Sequence, residues 1–187
     1  IGAFAVESKP IHPSMLLQIT QQALTSAAAA GRVHRKLRLL FVDDSDAVCN
    51  AACAIFEPLG FVTEAIRGGI EGLEYVCNED TVLPHVIVLD LDMPHVTGKS
   101  LLRVIKGNKK WQHVAVFILT GTEPTREYQL ELLEIGARQM MAKPISAAKI
   151  VQVVMDGVEC ANKEEAEERG RAGVGGVEGA IVGGGGS

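Results

Sequence analysis

The residues of this chain best suited to chemistry stand at the ends of short apolar runs. Asp43 and Asp44 follow Leu39-Leu40-Phe41-Val42, and Asp90 follows Val86-Ile87-Val88-Leu89. Thr120 follows Val116-Phe117-Ile118-Leu119, and Lys143 follows a weaker run at residues 139–142. Taken singly, each has an ordinary structural use: an aspartate caps a helix, a threonine closes a turn, a lysine before proline is solvated. Together they mean more. Three carboxylates held close repel and raise one another's pKa values unless a cation joins them. A hard ion that takes oxygen ligands and keeps part of its water suits such a cluster, and Mg2+ fits. The run ends therefore predict a divalent metal site.

The elements that must bring these residues together show in the periodicity. Continuous apolar runs at residues 37–42, 85–89 and 114–119 read as strands buried on both faces, with weaker strands at 61–65 and 139–142. Helical spacing lies between them. Residues 46–59 put Ala52, Ile55, Phe56 and Leu59 on one face, with Gly60 as the terminating glycine. Residues 69–77 carry Ile70, Leu73 and Val76, and Ser100 caps or opens a helix with Leu101, Leu102, Val104 and Ile105. Residues 125–135 carry Tyr128, Leu132 and Ile135 before Gly136, and 146–159 carry Ile150, Val153, Val154 and Val158. The repeated strand-helix order predicts an α/β fold: a doubly wound, five-stranded parallel sheet with helices on both faces. Ligands of such sheets sit beyond the carboxyl ends of the strands, where the polar residues fall.

Composition narrows the function classes. The formal charge of −5 argues against a nucleic-acid surface. No apolar run is long enough to span a bilayer, so no membrane contact is expected of this segment. Cys49, Cys53, Cys77 and Cys160 form no CxxC pair and read as reduced thiols of a cytoplasmic protein. Residues 161–187, acidic and then glycine-rich, are expected to be disordered. Residues 25–36 read as a linker, rigid if its alanines are helical. An internal repeat lies at the start: Gly2-Ala3 and Lys9-Pro10-Ile11 match Gly136-Ala137 and Lys143-Pro144-Ile145 at one constant offset, with Leu17 on Val151 and Ile19 on Val153. Residues 1–24 are thus expected to be the last strand and helix of an upstream domain of the same kind.

Residues 37–160 resemble a response-regulator receiver domain of two-component phosphorelays. The matching elements are Phe41-Val42-Asp43-Asp44-Ser45, Val88-Leu89-Asp90-Leu91-Asp92-Met93-Pro94 with Gly98, Leu119-Thr120-Gly121, and Lys143-Pro144. The resemblance implies a flavodoxin-like sheet of order 2-1-3-4-5. It implies that Asp90 takes a phosphoryl group from a phosphohistidine on a histidine kinase or phosphotransfer protein. The Asp44 and Asp90 carboxylates and the Asp92 backbone carbonyl would hold Mg2+, with Asp43 acting through water. Lys143 and Thr120 would engage phosphoryl oxygens. Asp92 and Thr122 would tune the lifetime of the phosphorylated state, and Gly121 would leave the site open to partners. Met140 stands where many members carry an aromatic switch residue, so phosphoryl transfer is expected with an atypical readout. A receiver dimer through the fourth helix, fifth strand and fifth helix is a further expectation.

Two rival readings remain at this level. Leu89-Asp90-Leu91-Asp92 resembles the nucleophile motif of haloacid-dehalogenase-like phosphatases. That family, however, places an acidic pair after its lysine, and Pro94 stands where it has threonine or valine. The other rival is a receiver-like interaction module that is not phosphorylated. A tandem-receiver protein or a hybrid histidine kinase is the expected setting.

Overall fold

The computed structural model describes residues 36–122 and 124–174. The expected remnant at residues 1–24, most of the linker and the glycine-rich end lie outside them. Strands β1 (Arg38–Val42), β2 (Val62–Ile66), β3 (Val86–Asp90), β4 (Ala115–Thr120) and β5 (Gln139–Ala142) form one sheet in the order β2-β1-β3-β4-β5. Every pairing is parallel. Helices α1 (Asp46–Phe56), α2 (Gly69–Cys77), α3 (Gly98–Gly107) and α4 (Arg126–Ile135) fill the crossovers, and α5 (Ala147–Val174) follows β5.

Strand alternation divides the core in two. Leu39, Phe41, Val86, Val88, Phe117 and Leu119 pack with Ala52 and Phe56 of α1 and with Ile150, Val151, Val153, Val154 and Val158 of α5. Leu40, Val42, Ile87, Leu89, Val116 and Ile118 pack on the other face with Val76, Leu101, Leu102, Ile105 and Leu132 from α2, α3 and α4. Both faces of β1, β3 and β4 are dry, which explains why those runs read as continuous apolar sequence. β2, at the edge, is only half-buried along its length.

Several local expectations change. The first helix passes into a 3-10 turn at Glu57–Leu59 before Gly60 takes the left-handed conformation at φ 86°. Thr97, not Ser100, caps α3: its hydroxyl oxygen accepts the Ser100 N–H at 3.3 Å. On α2, Ile70 points to solvent, while Gly69, Gly72 and Val76 are buried. The helix lies too close to its neighbours for side chains there: a Cβ on Gly69 would fall 1.9 Å from the Val96 carbonyl oxygen, and one on Gly72 2.7 Å from Leu101. The acidic stretch from residue 161, expected to be disordered, is helical to Val174. Good helix formers and a Glu159–Lys163 pair one turn apart account for the extension.

Gly98 has a steric role that concerns the site. Its Cβ would lie 2.0 Å from the Asp90 carbonyl oxygen, so the start of α3 presses on the end of β3, with Gly98 N–H donating to Leu91 O at 3.1 Å. It is absent from the positive-φ residues, so close approach and not turn geometry selects glycine. Gly98→Ala is expected to cost about 1–3 kcal/mol in urea unfolding by forcing the β3–α3 loop outward.

Candidate functional site

Parallel strands place their carboxyl ends on one edge, and the central pair β1–β3 brings Asp43 and Asp90 side by side there. Carboxylate oxygens of Asp43, Asp44 and Asp90 lie within 4.8 Å of one another. Asp43 and Asp90 are buried, at 0% and 1% exposure, and Asp44 is exposed. Lys143, after β5, sends its ammonium across to both: Nζ lies 2.7 Å from Asp43 Oδ2 and 2.7 Å from Asp90 Oδ1. The Asp43 contact is a hydrogen bond, while Asp90 Oδ1 is buried and accepts none.

The shell around these groups fixes them. Asp43 Oδ1 accepts the Ser45 N–H at 2.9 Å. Beneath it, the buried Cys49 thiol donates to the Asp43 carbonyl at 3.3 Å. The sequence reads Cys49 only as a reduced thiol, and no spacing reveals its place beneath Asp43. Thr120 is buried, and its hydroxyl donates to the Thr122 carbonyl at 2.7 Å. Asp92 is exposed, and its Oδ2 accepts the Gly121 N–H at 3.2 Å, tying the β3–α3 loop to the β4–α4 loop. Gly121 and Thr122 are exposed, and Met140 is half-buried against the core on the α3–α4 face. The Asp43, Asp44, Asp90 and Lys143 set thus converges as expected, with Thr120, Asp92, Gly121 and Thr122 on adjoining loops.

The electrostatics follow from burial and from too few cations. Burial pushes the Asp90 carboxyl above the usual aspartate range; Lys143 pulls it down, and the charges of Asp43 and Asp92 push it up. Burial alone would lower the Lys143 ammonium, but its hydrogen bond to Asp43 and its ion pair with Asp90 outweigh that and hold it above its ordinary value. One ammonium faces three carboxylates. The clustered oxygens of Asp43, Asp44 and Asp90, with one ammonium among them, fit a hard divalent cation such as Mg2+.

The chain belongs to the response regulator receiver domain family, whose model matches residues 39–155. It is 26% identical over 133 residues to the regA 3',5'-cyclic-nucleotide phosphodiesterase of Dictyostelium discoideum, a match covering 70% of this chain and 17% of that protein. It is 35% identical over 118 residues to a protein-glutamate methylesterase/protein-glutamine glutaminase of Pyrococcus abyssi, covering 62% of this chain and 31% of that protein. The chain therefore spans under a third of the length of either relative. Among solved structures, a CheY-like receiver domain protein from Methanospirillum hungatei superposes with TM-score 0.62 at 25% identity, covering 70% of this chain and 99% of that one. This is a receiver domain of two-component signalling. Among the described residues, no helix is long and apolar enough to cross a membrane.

Asp90→Asn tests the charge imbalance. Because the folded-state carboxyl titrates above the unfolded one, ionised Asp90 lowers stability at neutral pH, and the penalty fades as pH falls through the folded pKa. In metal-free buffer at neutral pH the variant is expected to show a higher Tm than the wild type, with the difference shrinking in acid.

Proposed function

We propose that Asp90 accepts a phosphoryl group from a phosphohistidine on a histidine kinase or phosphotransfer protein, and that this domain catalyses both its own phosphorylation and its slow hydrolysis. The observation that carries the reading is the buried Asp90 carboxylate ion-paired to Lys143 beside Asp43 and Asp44. An Asp90 oxygen lone pair forms the new P–O bond as the P–N bond breaks, and the bonding pair leaves with the imidazole nitrogen. Lys143 is positioned to pair with a phosphoryl oxygen while staying bonded to Asp43. Thr120 reaches a phosphoryl oxygen by exchanging the Thr122 carbonyl as its acceptor.

The Asp44 and Asp90 carboxylates and the Asp92 backbone carbonyl would hold Mg2+, with Asp43 acting through water. When bound, Mg2+ offsets the charge of the phosphoryl oxygens and the carboxylates around them. Catalysis by this chain is charge neutralisation and positioning. Four free thiols agree with a cytoplasmic setting. Movement of Thr120 and Met140 would carry the phosphorylated state to the face of α4, β5 and α5, where a dimer partner could read it. Met140 fills its place as a flexible thioether and not as an aromatic rotamer.

Incubation with acetyl phosphate and Mg2+ should load one acid-stable, hydroxylamine-labile phosphoryl group per chain, counted by intact mass. Asp90→Asn should load none, and Lys143→Ala should slow loading about 100-fold. A folded wild-type chain that takes up no phosphate would favour the non-phosphorylated interaction module instead. Asp92→Ala removes the tie to Gly121 and is expected to change the half-life of phospho-Asp90 severalfold; an unchanged half-life would remove Asp92 from the tuning residues.

A further inference from the structure

Three polar hydrogens at the start of the β4–α4 loop are already taken. The Thr120 hydroxyl donates to the Thr122 carbonyl at 2.7 Å and accepts the Thr122 N–H at 3.3 Å, a closed local pair. The Gly121 N–H between them is bonded across the site instead, to Asp92 Oδ2 at 3.2 Å. A Cβ on Gly121 would lie 3.6 Å from that same oxygen, so the carboxylate sits against the bare side of the glycine. Asp92 and Gly121 are both exposed, so burial does not force the pairing. The carboxylate chooses this N–H because charge-assisted hydrogen bonds are the stronger ones. Asp92 also belongs to the site by charge: it is among the groups that hold the Asp90 carboxyl above the usual range.

To a backbone N–H, a carboxylate oxygen and a phosphoryl oxygen are alike: each is a charged acceptor at hydrogen-bond distance. We propose that the Asp92 carboxylate is an internal stand-in for the phosphoryl group, holding the Gly121 N–H while Asp90 is unloaded and yielding it on loading. The inference rests on Asp90 as phosphoacceptor. It gives Asp92 a positioning role before transfer, separate from the lifetime of the product. The incoming group must exchange the Gly121 bond. It must also approach a fourth carboxylate beside Asp43, Asp44 and Asp90, where Lys143 brings one ammonium. Both requirements oppose loading.

Asp92→Ala removes the acceptor and the charge and keeps the backbone carbonyl; Asp92→Asn keeps an acceptor oxygen without the charge. Beryllofluoride with Mg2+, a phosphoryl mimic that is not transferred, should bind Asp92→Ala about tenfold more tightly than wild type, with Asp92→Asn between. Acetyl phosphate should load Asp92→Ala faster by a similar factor. The Gly121 amide resonance separates this from a loosened loop. It should differ between free wild type and free Asp92→Ala, then converge when both hold beryllofluoride, because one acceptor then serves both. Equal or weaker beryllofluoride binding by Asp92→Ala would overturn the proposal and leave Asp90 as acceptor. So would Gly121 resonances that stay as far apart in the bound forms as in the free ones. If wild type and both variants neither bind beryllofluoride nor load, the acceptor reading fails and this inference fails with it.

Discussion

The contact on which the site depends is the Lys143 ammonium held 2.7 Å from both Asp43 and Asp90. Two carboxylates of 0% and 1% exposure would each carry a desolvation penalty of several kcal/mol without a partner. One lysine serves both, and Asp44 adds a third carboxylate at the rim. The arrangement tolerates burial but is not neutral, so it is primed for added positive charge. The parallel sheet makes this possible by setting β1 beside β3 and returning β5 to the same edge. Close packing of Gly98 on the Asp90 carbonyl then fixes the loop after Asp90.

Much of this was legible in the sequence. Strands buried on both faces leave uninterrupted apolar runs, so β1, β3 and β4 and the polar residues ending them could be placed within a residue or so. What escaped was set by distance between elements. Ile70 kept helical spacing with Leu73 and Val76 yet faces water, because Gly69 and Gly72 let α2 approach Val96 and Leu101 more closely than a side chain allows. Thr97 displaced Ser100 as the cap because the helix starts two residues before Ser100. The Asp92–Gly121 bond joins two loops whose relative position no spacing reveals. The acidic stretch after residue 160 lacks a core-forming pattern, yet it continues a helix already nucleated against the sheet.

The site and its surroundings divide the work of a receiver between rigid and movable parts. Asp43, Asp90 and Lys143 are locked by ion pairing, burial and the Ser45 and Cys49 contacts. The Thr120 hydroxyl donates to the Thr122 carbonyl and accepts the Thr122 N–H, and Asp92 Oδ2 accepts the Gly121 N–H, so these two side chains are held by neighbouring loop backbone and not by ion pairs. Met140 packs beside Ile118, its register partner in β4, on the face shared with α3 and α4.

Calorimetric titration with Mg2+ tests the charge imbalance most directly. The wild-type protein should bind one ion at millimolar concentrations or below, and Asp90→Asn and Asp44→Ala should each weaken binding at least about tenfold, a loss of about 1.4 kcal/mol. Absence of Mg2+ binding by the folded wild-type protein, or affinity unchanged in both variants, would contradict the account.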